Sequence, residues 1–275
     1  CLSRPSNPAS SARVAASGLD ARNKCGHDGA GGLCYILAIP KVLVLSGRTC
    51  ASRQMDRQSP STLRLSRGES TFLRGNTFYG KRQMFTPEFM DWFEQLRLPA
   101  YQLEKVDGQY ELTFQGSWPE VMLWEIPALA VLMELRGRAV LERMGRFELE
   151  VLYARAKTKV WEKVETLRTV PDLKIADFGT RRRHSHLWQD WCVQAMSEGL
   201  GDKFTGTSNC LIAKNRDLAA IGTNAHELPM VYAALAKTDA ELLQSPYDVL
   251  ADWQAEHDGN LRIILPDTYG TEGFL

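Results

Sequence analysis

Gly-Thr pairs or an acidic residue follow four short apolar runs in the second half of the chain. The runs lead into Phe178-Gly179-Thr180, Thr205-Gly206-Thr207, Ile221-Gly222-Thr223 and Asp267-Thr268-Tyr269-Gly270-Thr271. Glycine lets a backbone approach a ligand closely, and threonine supplies a hydroxyl that also caps helices. Because ordinary turns favour the same residues, only their repetition beside charged groups indicates a binding edge.

A run of arginines, Arg181 to Arg183, comes directly after the first of these pairs. Guanidinium groups bind phosphate oxygens in a fork geometry, and the start of a following helix would add its dipole. Arg182 and Arg183 are therefore candidate phosphate ligands, although such a run is more commonly a solvated face. The hydroxyl-rich stretch Thr207-Ser208-Asn209 suits phosphate or ribose in the same way.

His226 is the candidate catalytic residue, as a base or a nucleophile. It lies in Gly222-Thr223-Asn224-Ala225-His226-Glu227, shortly after the third apolar run. A lone histidine is more often a structural residue, so its position beside an acid carries the prediction. Asp267, after the fourth run, could hold a metal, a ribose hydroxyl or an arginine. No metal-ligand spacing is evident in the sequence, and no protein-held metal is expected.

The elements that would position these residues alternate between strand and helix. Strands are predicted at 173–178, 203–205, 218–221 and 261–265, and helices at 184–198, from 208, at 227–236 and at 246–256. Such alternation is typical of a parallel sheet. In parallel α/β folds, ligands bind at the carboxyl ends of the strands, which is where the Gly-Thr pairs fall.

The preceding part of the chain has a different pattern. Thr86-Pro87-Glu88 predicts a helix start, and Tyr101–Val106 with Gln109–Gln115 predicts a hairpin around Asp107-Gly108. Helices are expected at 127–144 and 147–169. We expect three parts: an irregular or non-authentic leader at 1–62, a partial N-terminal α/β domain at 63–145, and a partial α/β barrel at 146–275.

Composition places the chain among ordinary globular proteins. The 275 residues have 33 Lys+Arg and 33 Asp+Glu, so net charge gives no argument for a nucleic-acid partner. Residues 1–74 carry 11 basic and 4 acidic residues, whereas the rest carries 22 and 29. No apolar run is long enough for a membrane span. The sparse cysteines, which include Cys1, Cys25, Cys34 and Cys50, favour reduced thiols and a cytoplasmic location.

The segments 178–185, 204–209 and 222–227 together resemble bacterial nicotinate phosphoribosyltransferase. Gly75-Asn76-Thr77-Phe78-Tyr79-Gly80 and Trp124-Glu125-Ile126-Pro127 are also similar to that family, so the resemblance runs from about residue 63 to Leu275. It implies a type II phosphoribosyltransferase with an α/β N-terminal domain and an irregular α/β barrel. The implied reaction joins nicotinate to 5-phosphoribosyl-1-diphosphate, with coupling to ATP, and Mg²⁺ and a homodimer are expected.

The resemblance also implies roles for particular residues. His226 matches a transiently phosphorylated histidine, Phe178 an aromatic ring that stacks on the pyridine, Arg181 a contact to phosphate or carboxylate, and Thr223 a nicotinate contact. Ser208 and Asn209 fall in the loop that faces ribose and ring.

The resemblance is incomplete at both ends. The N-terminal segment with which the family supplies substrate contacts has no counterpart in 1–62, and the family continues past Leu275. We therefore expect the polypeptide as given to be inactive or poorly folded. A non-catalytic module that binds phosphate or nucleotide is the alternative. An aldolase-like barrel is disfavoured because Lys174 lies at the wrong end of its strand.

Overall fold

Two units make up the chain, and each is described by itself. A computed structural model describes residues 33–39, 65–78, 82–106, 109–257 and 263–274. The first unit comprises Cys1–Ser61 with Arg97–Trp124, and the second comprises Thr62–Leu96 with Glu125–Leu275. The predicted boundaries at 62 and 145 stay predictions, and most of the expected leader lies outside the described residues.

The described elements combine short strands with longer helices, which confirms the mixed α/β class. In chain order they are β1 (Leu33–Ile39), α1 (Arg67–Gly75), β2 (Thr77–Phe78), β3 (Arg82–Gln83), α2 (Pro87–Gln95), β4 (Tyr101–Val106), β5 (Gln109–Gly116), α3 (Trp118–Met122), α4 (Glu125–Leu141), α5 (Arg146–Arg168), β6 (Ile175–Asp177), α6 (His186–Leu200), β7 (Phe204–Thr207), α7 (Cys210–Arg216), α8 (Glu227–Leu235), α9 (Asp239–Glu256) and α10 (Thr271–Phe274). Short 3₁₀ turns at Thr180–Arg182 and Gly201–Lys203 precede α6 and β7.

The first unit is an antiparallel sheet in the order β1-β5-β4. The predicted hairpin strands β4 and β5 are present, and Asp107-Gly108 between them lies outside the described residues. Buried Leu112 and Phe114 alternate on β5. The Phe114 ring stacks on Trp124 with ring centroids 4.6 Å apart, and the Trp124 indole donates to the Pro99 carbonyl. This aromatic contact fixes α3 against the sheet.

The second unit starts with two capped helices. Ser66 and Glu69 form a capping box at α1. Thr86 caps α2 ahead of Pro87, as the sequence predicts. Arg74 of α1 binds Asp91 at 2.7 Å and Glu94 at 3.2 Å, both on α2.

The core beneath the candidate site lies where α5, α6, β7 and α7 meet. Its buried members are Val164, Val193, Leu200, Phe204 and Ile212. A Cβ atom at Gly199 would lie 2.4 Å from Val164 Cγ1. The absence of a side chain at Gly199 therefore permits the close approach of α5 and α6.

Parallel pairing is confirmed for the first two predicted strands. The third predicted strand is reduced to one parallel bridge, and the described residues of the fourth form no strand. Strand β6 pairs with β7 in parallel, and a bridge from Thr207 to Ala220 follows. Residues 218–221 pair with β7 only at Ala220, and the Leu218 N–H still bonds back to Ala213 of α7. Residues 263–265 form no strand, and the Leu265 N–H donates to the Asn224 side chain; residues 261–262 lie outside the described residues.

Several predicted helix boundaries are also wrong. Helix α9 was expected from Pro246 but begins at Asp239, where Thr238 is its N-cap. Proline lacks the N–H that would reach the Leu242 carbonyl. The buried Ser245 hydroxyl donates to that carbonyl instead, at 2.9 Å, so the helix tolerates Pro246 in its interior.

Candidate active site

Asp177, at the end of β6, organises the polar groups between β6 and β7. Its Oδ2 atom accepts from the Thr207 hydroxyl at 2.7 Å and from Gln189 Nε2 at 2.8 Å. Its Oδ1 atom accepts from the Gly179 N–H, and its carbonyl accepts from the Ser208 N–H. The fully buried Thr207 also accepts from the Asn209 N–H. A half-buried carboxylate with this many donors fixes the strand ends relative to one another.

Thr180 lies one turn further along and accepts two amide hydrogen bonds. Gln189 Nε2 donates to its hydroxyl oxygen at 3.0 Å, and Asn209 Nδ2 donates at 3.1 Å. Gln189 belongs to α6 and is only 4 % exposed. Asn209 is the N-cap of α7, where its Oδ1 accepts from the Ile212 N–H. The Thr180 turn is thus tied to the starts of two helices.

Gly206 allows a third segment to reach this edge. Its φ of +142° is a conformation that L side chains rarely adopt, and a Cβ atom there would lie 2.2 Å from the Ala219 carbonyl oxygen. The Thr207 N–H donates to that carbonyl, and the Ile221 N–H donates to the Thr207 carbonyl. The segment leading to His226 therefore runs alongside β7.

Arg181 is joined to the His226 region through two carboxylates. Its guanidinium pairs with Glu125 at the start of α4, and the Glu125 carboxyl is hydrogen-bonded to Glu227, the first residue of α8. Burial is the main cause that raises the pKa of Glu125; the bond and the charge of Glu227 raise this pKa further, and Arg181 lowers it. A carboxyl pair beside a guanidinium is typical of a site that holds a proton between two acids.

The other predicted phosphate ligands occupy different environments. Arg182 is exposed, whereas Arg183 lies near Glu134 of α4 and within 3.4 Å of His186 Nδ1. Burial lowers the pKa of Arg183, and its Nε atom is buried without a hydrogen-bond partner in the described part of the chain. Arg183 therefore has the surroundings of a packing residue, although its role as a phosphate ligand stays a prediction.

His226 lies close to Asp267, although neither of the strands predicted ahead of these residues is formed in the described part of the chain. The imidazole is 38 % exposed; its Nδ1 lies 3.0 Å from the Thr268 hydroxyl and its Nε2 lies 3.9 Å from Asp267 Oδ1. The buried Asn224 side chain accepts from the Leu265 N–H at 2.7 Å. This bond holds the segment that carries Asp267 and Thr268 beside His226.

The remaining predicted residues lie on the same turns but make fewer contacts. Phe178 is 48 % exposed directly after β6. Ser208 is half-buried and follows β7. The Thr223 hydroxyl donates to the Asn224 carbonyl. Their substrate contacts stay predictions.

Five residues that build the site had no role assigned from the sequence: Glu125, Thr180 and Thr268, which lie within the motifs named above, and Asp177 and Gln189, which do not. Two signals were available. Glu125 lies within the Trp-Glu-Ile-Pro motif, and Asp177 is a charged residue at the end of an apolar strand. The sequence contains no signal for Gln189, because a glutamine inside a helix is ordinarily a surface residue.

Neither a metal-binding cluster nor a membrane-spanning helix is found among the described residues. Among them, no group of three or more His, Cys, Asp or Glu side chains could hold a metal ion. Nor does any helix there combine the length and apolar character required to cross a bilayer.

Comparison with known proteins points to one class. Residues 173–275, which contain β6 through α10 and the Asp177 and His226 clusters, match the nicotinate phosphoribosyltransferase (NAPRTase) family. This match confirms the resemblance predicted from the sequence.

Solved structures are similar to a larger part of the chain than the family match covers. A nicotinate phosphoribosyltransferase from Porphyromonas gingivalis is 25 % identical, with a TM-score of 0.65 over 82 % of this chain and 54 % of that one. The enzyme from Vibrio cholerae, at 24 % identity, shares the fold, with a TM-score of 0.67 over 88 % of this chain and 56 % of that one. The chain thus spans slightly more than half the length of these proteins, and its fold is a partial nicotinate phosphoribosyltransferase fold.

Proposed function

We propose that the chain carries the nicotinate- and phosphoribosyl-binding part of an ATP-coupled nicotinate phosphoribosyltransferase. The reaction joins the pyridine nitrogen of nicotinate to C1 of 5-phosphoribosyl-1-diphosphate and releases diphosphate. The observation that carries the proposal is the connection from Arg181 through Glu125 to Glu227, which directly follows His226 in the chain. Arg181, His226 and Glu227 lie within the region that matches the family.

The chemistry of the reaction requires an anion-binding edge of this kind. Breaking the bond between ribose and diphosphate develops positive charge on the sugar and negative charge on the leaving group. Fixed N–H donors and guanidinium groups stabilise that negative charge without reorganisation. Arg181 and the exposed Arg182 supply such donors, and the half-exposed ring of Phe178 offers an aromatic surface for the pyridine.

His226 is proposed as the residue that accepts a phosphoryl group from ATP. Because Nδ1 lies within hydrogen-bond distance of Thr268, a proton on Nδ1 leaves Nε2 with its lone pair. Nε2 then attacks the γ-phosphorus, the bond to the β–γ bridging oxygen breaks, and ADP leaves. The new dianionic charge beside Glu227 would reorder the surrounding loops.

Mg²⁺ is proposed to accompany ATP rather than to occupy a site built by the protein. Mg²⁺ in such sites takes most ligands from phosphates and water and needs only one or two carboxylates. Asp267, 59 % exposed on its side chain near His226, fits that requirement.

Labelling with ATP radioactive at the γ-phosphate tests the histidine. We expect acid-labile, base-stable label on His226, none in His226→Gln, and slower labelling in Thr268→Val, which removes the Nδ1 partner. His257→Gln is the matched control, since His257 packs against Trp253 at the end of α9. Unchanged labelling in His226→Gln would contradict the role.

Formation of nicotinate mononucleotide tests the reaction itself, with and without ATP. The prediction that the polypeptide as given is inactive is tested in the same assay, by comparison with a solved relative as positive control. Binding of the substrates without product would favour the second candidate function, a non-catalytic phosphate- or nucleotide-binding module. A homodimer and a cytoplasmic location remain part of the proposal.

A further inference from the structure

We infer that the Thr180 hydroxyl is a pre-oriented hydrogen-bond donor to an anionic oxygen of the bound substrate. Thr180 belongs to the first Gly-Thr pair, but the sequence assigns it no role of its own. The inference deepens the proposed function and rests on it for the identity of the ligand, which would be an aromatic carboxylate or a phosphate.

The direction of the hydroxyl follows from the two bonds that Thr180 already accepts. A threonine oxygen has two lone pairs and one proton. Gln189 Nε2 and Asn209 Nδ2 both donate to this oxygen, at 3.0 and 3.1 Å. With both lone pairs occupied, the Thr180 oxygen is available to a third group only through its own O–H.

The orientation of both amides is fixed by other contacts. Gln189 Nε2 also donates to the Asp177 carboxylate, which can only accept when ionised, so a flipped amide would place two oxygens together. Asn209 Oδ1 accepts from a backbone N–H of α7, so its nitrogen must face Thr180. These bonds determine which atoms are N–H donors independently of how the amides were assigned.

The hydroxyl proton has no acceptor among the described residues. The bonds given for Thr180 in that part of the chain are the two that it accepts through its side chain and those of its backbone turn. Its neighbours are the half-exposed Phe178 and Arg181, whose guanidinium binds Glu125 through one nitrogen. An aromatic ring, a hydroxyl donor and a guanidinium on one turn together suit an aromatic acid.

This arrangement predicts a preference for the acid over its amide. A hydroxyl that can only donate gains more from a charged carboxylate oxygen than from a neutral amide oxygen, and its filled lone pairs give the amide NH₂ group no acceptor. The Thr180 hydroxyl would therefore contribute to a choice of nicotinate over nicotinamide.

Ligand binding to the full chain tests the inference without turnover. Calorimetric titrations use benzoate and benzamide as aromatic probes and diphosphate as the phosphate probe. We expect Thr180→Val to weaken the binding of one anion by about 10-fold or more, the effect of losing a hydrogen bond to a charged group, while Thr180→Ser retains it. If only benzoate loses affinity, the group that accepts from Thr180 is a carboxylate. If only diphosphate loses affinity, that group is a phosphate.

Thr205→Val is the matched control. Thr205→Val loses one internal hydrogen bond, from the Thr205 hydroxyl to the Ile175 carbonyl across β6 and β7, whereas Thr180→Val loses the two that Thr180 accepts. Thermal unfolding of both variants therefore measures how much each is destabilised in general. The inference is overturned if folded Thr180→Val binds both anions as wild type does, or if Thr180→Ser loses as much affinity as Thr180→Val. Hydroxyl-dependent binding of benzoate or diphosphate by a chain that binds neither nicotinate nor 5-phosphoribosyl-1-diphosphate would overturn the proposed function alone. Binding of these two substrates that Thr180→Val leaves unchanged would overturn the inference alone.

Discussion

Glu125 shows how one carboxyl can connect two parts of the site. Its carboxyl pairs with Arg181, which lies in the turn after β6, and is hydrogen-bonded to Glu227 at the start of α8. Burial and the neighbouring acid both favour its protonated form, and they outweigh the guanidinium, so its pKa is raised. A group of this kind makes stability depend on pH in the opposite sense to an ordinary ion-paired acid.

The first prediction concerns Glu125→Gln. Because the folded state holds the Glu125 proton more tightly than the unfolded state, this residue adds stability as pH falls through the raised pKa, and the gain is complete below its ordinary value of 4.5. The variant cannot take up this proton. We expect the difference in unfolding free energy between wild type and variant to change with pH above 4.5, by about 1.4 kcal/mol for each unit of pKa difference. Urea unfolding at a series of pH values measures it.

Asp190→Asn provides a control of opposite sign. Arg216 binds Asp190 through two nitrogens at 2.6 Å and lowers the pKa of that carboxyl below 3.8. The stability from Asp190 is present above that value and is lost as pH falls through the lowered pKa. The difference in unfolding free energy between Asp190→Asn and wild type should therefore stay constant above pH 4.5, where the corresponding difference for Glu125→Gln changes. A flat difference for Glu125→Gln would show that the pair holds no proton.

At this scale the sequence indicated the charged residues but not their partners. Arg181 and His226 were evident from composition and from their place after apolar runs. Glu125 is 56 residues away from Arg181 in the chain, and no local pattern links the two. Gln189 was not predicted because its burial depends on Asp177 and Thr180, which only the folded chain brings near.

Among the elements, β7 depends on the conformation of Gly206. The positive φ and the approach of the Ala219 carbonyl leave no room for a side chain. We expect Gly206→Ala to lower the free energy of unfolding by about 2–4 kcal/mol, since it combines backbone strain with a backbone clash. Chemical denaturation measures this loss.

Gly222→Ala is the control within the same site. A Cβ atom at Gly222 meets no atom within 4 Å, and the residue has no positive φ. Its substitution should change stability by no more than about 0.5 kcal/mol. Equal effects at the two glycines would show that the close approach of the 219–221 segment to β7 contributes nothing.

Elements with local signals were predicted well. Thr86-Pro87 marked the start of α2, and alternation marked β4 and β5. The predicted boundaries that are wrong depend on distant or unusual partners. Helix α6 begins at His186 rather than His184, because the Ser185 hydroxyl caps the helix by accepting from the Trp188 N–H. In α9, Ser245 satisfies the carbonyl that Pro246 leaves free. Residues 218–221 have the composition of a strand but too few pairing partners for one.

For the molecule as a whole, several large apolar side chains face solvent. Phe147 of α5 is 81 % exposed and Leu187 of α6 is 77 % exposed. Burial of such a side chain is worth about 1.5–3 kcal/mol, so exposure on this scale favours association. We expect the wild-type chain to show concentration-dependent association in sedimentation velocity, and Phe147→Glu/Leu187→Glu to reduce it.

Lys159→Glu controls for charge in that experiment. It changes net charge by as much as the double variant, at an exposed position of α5, without removing apolar surface. Association reduced equally by both would assign the effect to charge repulsion. A wild-type chain that sediments as a monomer at every concentration would contradict the prediction.

The tryptophans on α5 and α6 have an optical consequence. Trp188 and Trp191 stack with centroids 5.0 Å apart, and Trp161 of α5 meets Trp191 edge-on at 5.8 Å. Indole transition dipoles at such separations couple, and coupled dipoles in a fixed chiral arrangement produce a paired positive and negative band in circular dichroism. Because Trp161 belongs to the other helix, part of that band pair reports whether α5 and α6 are docked. The protein thus has an intrinsic spectroscopic measure of its core that requires neither label nor ligand.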